Sequence, residues 1–130
     1  MRSDGNEKLE VEHVLLVEDD PVIAIDAEAV LQELGADVVT LAATAAQGLK
    51  AIEAKRPDVA LLDVNLGQGT SEPVARMLDA LGIPFALTTG DAHRSDLPAA
   101  FRARPICTKP YGADDLSRVL EQAMTGAGAT

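Results

Sequence analysis

The stretch Val14-Leu-Leu-Val-Glu-Asp-Asp-Pro-Val-Ile23 (VLLVEDDPVI) runs four apolar residues straight into three adjacent carboxylates and then resumes an apolar pattern. The apolar run reads as a buried strand. Three acids at its end repel one another unless water, a base or a cation offsets them. Asp20 stands directly before Pro21, which suits a helix start with Asp at the N-cap and Pro at the first helical position. Strand, acidic end and helix start thus fall within ten residues.

The same strand-then-helix alternation continues outward. Ile23, Ala27, Val30 and Leu34 recur at helical spacing, and Gly35 suits a left-handed helix end. A second strand is expected near Asp37–Ala42. Thr44-Ala-Ala-Gln47 has capping-box spacing and opens a helix with Leu49 and Ile52 inward, stopped by Pro57. Val59–Leu62 is the continuous apolar run of a strand covered on both faces. The loop NLGQGTS leads to a helix with Pro73 in its first turn and a stripe of Val74, Met77, Leu78 and Leu81. Ile83–Leu87 reads as strand four. GDAHRSDLPAAFRAR holds only a short helix after Pro98. Ile106–Thr108 is a brief fifth strand, and a last helix spans about Ala113–Met124 with Leu116, Val119, Leu120 and Ala123 inward. Five strands alternating with helices indicate an α/β domain, a five-stranded parallel sheet wound with helices on both faces. Its boundaries read as a flexible tail over 1–10, the domain over 11–124 and a second tail over 125–130. The polar start at Met1 favours a whole protein over a piece cut from a larger one.

Composition narrows the function. The 130 residues carry a formal charge of −10, which argues against nucleic acid as a direct partner because phosphate contacts need clustered Lys and Arg. Aromatics are 2%, so the core is built of Val, Leu, Ile and Ala. One cysteine, Cys107, excludes an internal disulfide and reads as a small core residue. There is no signal core and no apolar run near the ~18 residues of a membrane span, so a soluble, cytoplasmic protein is expected. No G-x-x-x-x-G-K-[ST] supports nucleotide binding. His13 and His93 are expected at the solvent-exposed surface.

In a doubly wound sheet, ligands gather at the carboxyl ends of the strands. Those ends carry Glu18 and Asp19, then Asp63, then Thr88 and Thr89, then Lys109 before Pro110. Carboxylates from neighbouring strands make an oxygen-rich pocket suited to a hard divalent cation. Lysine and a threonine hydroxyl can hold an anion beside it. Asp20, before Pro21, reads as a helix cap in preference to a third ligand.

VLLVEDD, LLDVNLGQGT, LTTGD and CTKPYGADDL, in that order across about residues 11 to 124, resemble the receiver domain of two-component response regulators. The resemblance implies a flavodoxin-like sheet of order 2-1-3-4-5. Asp63 would be the phosphoacceptor, taking a phosphoryl group from a histidine kinase or a histidine phosphotransfer protein. Asp19 would bind Mg2+ (or Mn2+) directly and Glu18 through water, with Asp63 and the main-chain carbonyl of Asn65 completing the set. Thr89, last before the small Gly90, would hydrogen-bond the phosphoryl group, and Lys109 would neutralise it. Such a chain, with no residues left for a DNA-binding module, would be a stand-alone receiver, a monomer or weak dimer signalling by contact with a downstream protein. It would be a phosphoacceptor and not an enzyme.

Two features depart from the common pattern. The aromatic usual three residues before the lysine is Ile106 here. PFALTTGD is similar to an alphaproteobacterial subgroup with a PF-x-F-A-T-G-Y stretch, whose fourth helix is short or mobile, but Leu87, Thr88 and Asp91 replace its Phe, Ala and Tyr. A rival class is an aspartyl phosphatase resembling the haloacid dehalogenase group; the strand-three motif Asp63-Val64-Asn65 lacks that group's second Asp. The other rival is an interaction domain that works without phosphorylation.

Overall fold

The computed structural model describes residues 11–67, 69–90 and 97–126. Its elements alternate along the chain: β1 (His13–Val17), α1 (Pro21–Glu33), β2 (Val38–Ala42), α2 (Ala45–Ala54), β3 (Val59–Asp63), α3 (Glu72–Ala80), β4 (Phe85–Thr89), α4 (Ala99–Arg102), β5 (Ile106–Thr108) and α5 (Ala113–Thr125). The five strands form one parallel sheet in the order β2-β1-β3-β4-β5. This is the flavodoxin-like arrangement expected, with α4 reduced to four residues after Pro98.

Alternation along the strands splits the core in two. Leu15, Val17, Leu62, Phe85 and Leu87 face α2 and α3, with Phe101 of α4 closing the end. Val14, Leu16, Leu61 and Ala86 face α1 and α5, against Ala27, Leu31, Leu116 and Leu120. Strands β1, β3 and β4 are buried throughout, which is why they read as unbroken apolar runs.

Local signals place the helix ends. Asp20 Oδ1 accepts from Val22 N at 2.9 Å and Ile23 N at 3.3 Å, the N-cap role expected of it. At the other end of α1, Gly35 takes φ 120, its N–H reaches Gln32 O, and Ala36 N–H reaches Leu31 O. The stripe of α1 sits slightly off the expected one: Ala24, Ala27 and Leu31 are its buried residues. Thr44 caps α2 through Gln47 N, while Gln47 Oε1 reaches back to Ala43 N, one residue before the usual capping-box donor. Helix α5 runs to Thr125, with Gly126 as its left-handed cap, so the described chain is ordered two residues beyond the domain end expected at 124.

One surface expectation is overturned. His13 is 4% exposed, and its Nε2 lies 2.7 Å from Thr40 Oγ1. As the first residue of β1 it shares the parity of Leu15 and Val17, which turns its ring under the sheet face that carries α2. The expected tail over 1–10, His93 and Asp91 lie outside the described residues, as does the rest of the second tail from 127 on. No helix of the described residues is long and apolar enough to cross a membrane.

Candidate functional site at the carboxyl ends of the strands

Parallel pairing brings the carboxyl ends of β1, β3, β4 and β5 to one edge, and with them the acids and the lysine. Glu18 still belongs to the ladder through its N–H on Ala42 O at 2.9 Å. Its parity with Leu16 turns the side chain inward, 3% exposed, whereas Asp19 faces solvent. Asp63 ends β3 and is 5% exposed.

Lys109, just past β5, reaches across the sheet end. Its Nζ lies 2.9 Å from Glu18 Oε1 and 2.9 Å from Asp63 Oδ2. The remaining oxygens meet main-chain donors: Asp20 N–H donates to Glu18 Oε2 at 3.0 Å, and Asn65 N–H to Asp63 Oδ1 at 3.3 Å. One oxygen each from Glu18, Asp19 and Asp63 lie within 4.8 Å of one another. Three carboxylates therefore face one ammonium. The excess negative charge and the all-oxygen donor set fit a hard divalent cation. The loop after β3 fits as well: a Cβ at Gly67 would stand 2.9 Å from Asp19 Oδ2, at φ +73, so glycine lets the backbone close over that carboxylate. Beyond Asp19, a groove of about 670 Å³ opens between this loop and the one after β2, lined by Thr44, Leu66, Gly67 and Thr70 among others.

The electrostatics follow from the same excess. Burial raises the pKa of Glu18 above its ordinary 4.5, outweighing the hydrogen bonds from Lys109 and Asp20, and the charge of Asp63 adds to the rise. For Lys109, burial acts downward, but the hydrogen bonds to Asp63 and Glu18 prevail and raise its pKa. The Glu18 shift thus expresses burial first, and the Lys109 shift its two carboxylate partners.

A pH dependence follows. The folded chain holds the Glu18 proton more tightly than the unfolded chain does. Stability from this group is therefore lost as pH rises from 4.5 through the raised folded value, and it stays lost above. Glu18→Gln, neutral at every pH, should melt at a higher temperature than the wild type near neutrality in EDTA, with the gap closing toward pH 4.5 and below. Melting curves against pH check this; a wild type that melts higher at neutral pH would contradict the sign.

The threonines are distinguished by register. Thr88 is level with Asp63, and Thr89 is one residue further, level with Thr108, its carbonyl accepting Lys109 N–H at 2.7 Å. Both are 2% exposed. Asn65 sits in the exposed loop, bridged to Thr70. Ile106, half-buried and level with Leu87, packs on the α2–α3 side of the sheet. Cys107 is buried, its thiol pushed up to about 11 by burial.

Sequence reasoning passed over Tyr111. Its hydroxyl is buried beside this cluster, and burial together with the charge of Glu18 pushes it up to about 12. The available signal was its uniqueness: it is the chain's one tyrosine, two residues after Lys109.

The family model for the response regulator receiver domain matches residues 14–121. The chain belongs to that family. Among relatives of this receiver, the phyllosphere-induced regulator PhyR of Methylorubrum extorquens is 33% identical over 116 residues, covering 85% of this chain and 43% of its own. A solved structure of the PhyR stress response regulator superposes with a TM-score of 0.76 at 32% identity, over 92% of this chain and 46% of that one. SdrG from Sphingomonas melonis gives 0.76 at 36% identity, over 88% of this chain and 97% of that one. The receiver thus spans less than half the length of the PhyR chains and nearly all of SdrG.

Proposed function

We propose that this receiver accepts a phosphoryl group on Asp63 from a histidine kinase or a histidine phosphotransfer protein, and signals by contact with a downstream protein. The observation that carries the reading is the Lys109 ammonium held at 2.9 Å from both Glu18 and Asp63, with Asp19 in ligand range of both acids. Family membership and the likeness to SdrG support it. An Asp63 oxygen attacks phosphorus; the new O–P bond forms as the P–N bond to the donor imidazole breaks, and the electron pair leaves with the imidazole nitrogen. Glu18, Asp19, Asp63 and the Asn65 carbonyl would hold Mg2+ or Mn2+, which supplies charge neutralisation for the phosphoryl oxygens. Lys109 neutralises a further oxygen, and the Thr89 hydroxyl donates to another. Water then hydrolyses the acyl phosphate and resets the site. The chain acts as a phosphoacceptor, not as an enzyme on outside substrates, and works in the cytoplasm.

The test is intact mass after incubation with Mg2+ and acetyl phosphate, for the wild type and Asp63→Asn. One phosphoryl group should add to the wild type alone and come off at alkaline pH. An adduct on both proteins, or steady turnover of a phosphate ester without an aspartyl adduct, would overturn the assignment, the latter in favour of a phosphatase.

A further inference from the structure

Among the described residues, the exposed large apolar side chains are Val22, Ile25, Val38 and Leu41. All four stand on α1 and β2, which pack on each other. β2 is the terminal strand of the sheet. Val38 N–H donates to Glu12 O at 2.7 Å, and Ala42 O accepts from Glu18 N–H at 2.9 Å, so the even-numbered residues of β2 turn their main chain toward β1. Val39 and Leu41 therefore turn their N–H and C=O groups outward, where no strand of the described residues meets them. The strand, Val-Val-Thr-Leu-Ala, carries neither the charge nor the proline that commonly blunts such an edge. Beside it, Leu41 and Ile25 line a groove of about 470 Å³ with Pro21, Ala24, Glu18 and Asp19.

The surroundings of this edge have one sign of charge. From Leu9 to Leu49 the chain has nine Asp and Glu and no Lys or Arg, a stretch that contains all of α1 and β2. Acids bracket the strand: exposed Asp37 directly precedes it, and Asp19 lines the groove with Ala42 and Ala43 at its carboxyl end. On α1, Asp26 and Glu33 are exposed as well. A second copy of this chain would set that acidity against itself. A basic segment would be drawn to it. We propose that the free edge of β2 docks an extended segment of a partner protein, uncharged over about five residues and flanked by Lys or Arg, as a sixth strand. The main chain of Val39 and Leu41 supplies the hydrogen bonds, the groove at Leu41 and Ile25 takes an apolar side chain, and the bracketing acids hold the cations. β1 stands between this edge and Asp63 on β3, and the inference does not draw on the phosphoacceptor reading.

The test uses the full chain and one probe, the end-capped peptide Lys-Lys-Val-Thr-Val-Thr-Val-Lys-Lys, titrated at low salt and read by backbone-amide NMR shifts. Binding should saturate, shift Val39 and Leu41 most, and weaken as salt is added. Methylating the amide nitrogens of the valines, or those of the threonines, separates strand addition from charge attraction, because only one of the two sets faces β2 in an added strand. One methylated peptide should bind like the parent, and the other roughly 10-fold more weakly, the size of one or two hydrogen bonds. Leu41→Lys, at a position 42% exposed, should fold like the wild type and weaken binding about 10-fold. Gln32→Lys puts the same charge on the exposed face of α1 and should weaken binding less than about three-fold. No saturable binding, equal binding of the two methylated peptides, equal losses in the two variants, or shifts centred outside β2 each overturn the inference. A free chain that sediments as a dimer, and is returned to monomer by Leu41→Lys, overturns it in favour of a second copy at the edge.

Discussion

Lys109→Ala loses about 3 kcal/mol of folding stability at neutral pH in EDTA, the low end for breaking a buried ion pair. The ammonium stands between two carboxylates that are 3% and 5% exposed. Without it, Glu18 and Asp63 face each other with only main-chain N–H donors to support them. The low end applies because the Lys109 side chain is itself 20% exposed, and part of its attraction is screened by water. Two dependences identify the cause. Acidification should shrink the deficit, because protonation relieves the same repulsion. Millimolar Mg2+ should restore much of the loss, because a cation replaces a cation. Urea titrations of wild type and variant under the three conditions read all of this. A loss below about 1 kcal/mol in EDTA would place the pair among surface ion pairs of little weight.

Mg2+ raises the melting temperature of the wild type by several degrees, and Asp19→Ala removes the rise. Binding to the folded state alone adds stability that grows with occupancy, about 2.7 kcal/mol at one hundred times the dissociation constant. For a domain of this size, each kcal/mol moves the midpoint by about 4 °C. Asp19 is the instructive ligand to remove. It is exposed and spends its carboxylate facing the Gly67 loop, so its loss leaves the core intact. In EDTA the variant should melt close to the wild type, which separates a lost ligand from a damaged fold. A rise of equal size in both proteins would remove Asp19 from the cation site.

The strands and helices were legible because their signals act over a few residues. Asp20-Pro21 starts α1, Gly35 ends it, and the unbroken apolar runs of β1 and β3 follow from burial on both faces. The candidate site was legible because every polar residue in it stands at a strand end, where a parallel sheet gathers its carboxyl ends on one edge. His13 was misjudged for the complementary reason. Nothing beside it in the chain says that Thr40 will lie 2.7 Å from its ring. Tyr111 was passed over because an isolated tyrosine after a turn proline carries no local sign that its hydroxyl will be buried.

The sequence by itself determined the order of the elements, the doubly wound class and the identity of the acids, lysine and threonines at the sheet edge. These rest on apolar periodicity, capping and spacing, each a short-range property. Only the tertiary structure decided that Glu18 is buried while Asp19 is exposed, and that one ammonium serves two carboxylates. Lys109 meets Asp63 across 46 residues of chain. Burial and charge compensation are properties of such distant pairs, set by how the strands register and which way each side chain turns at the strand end.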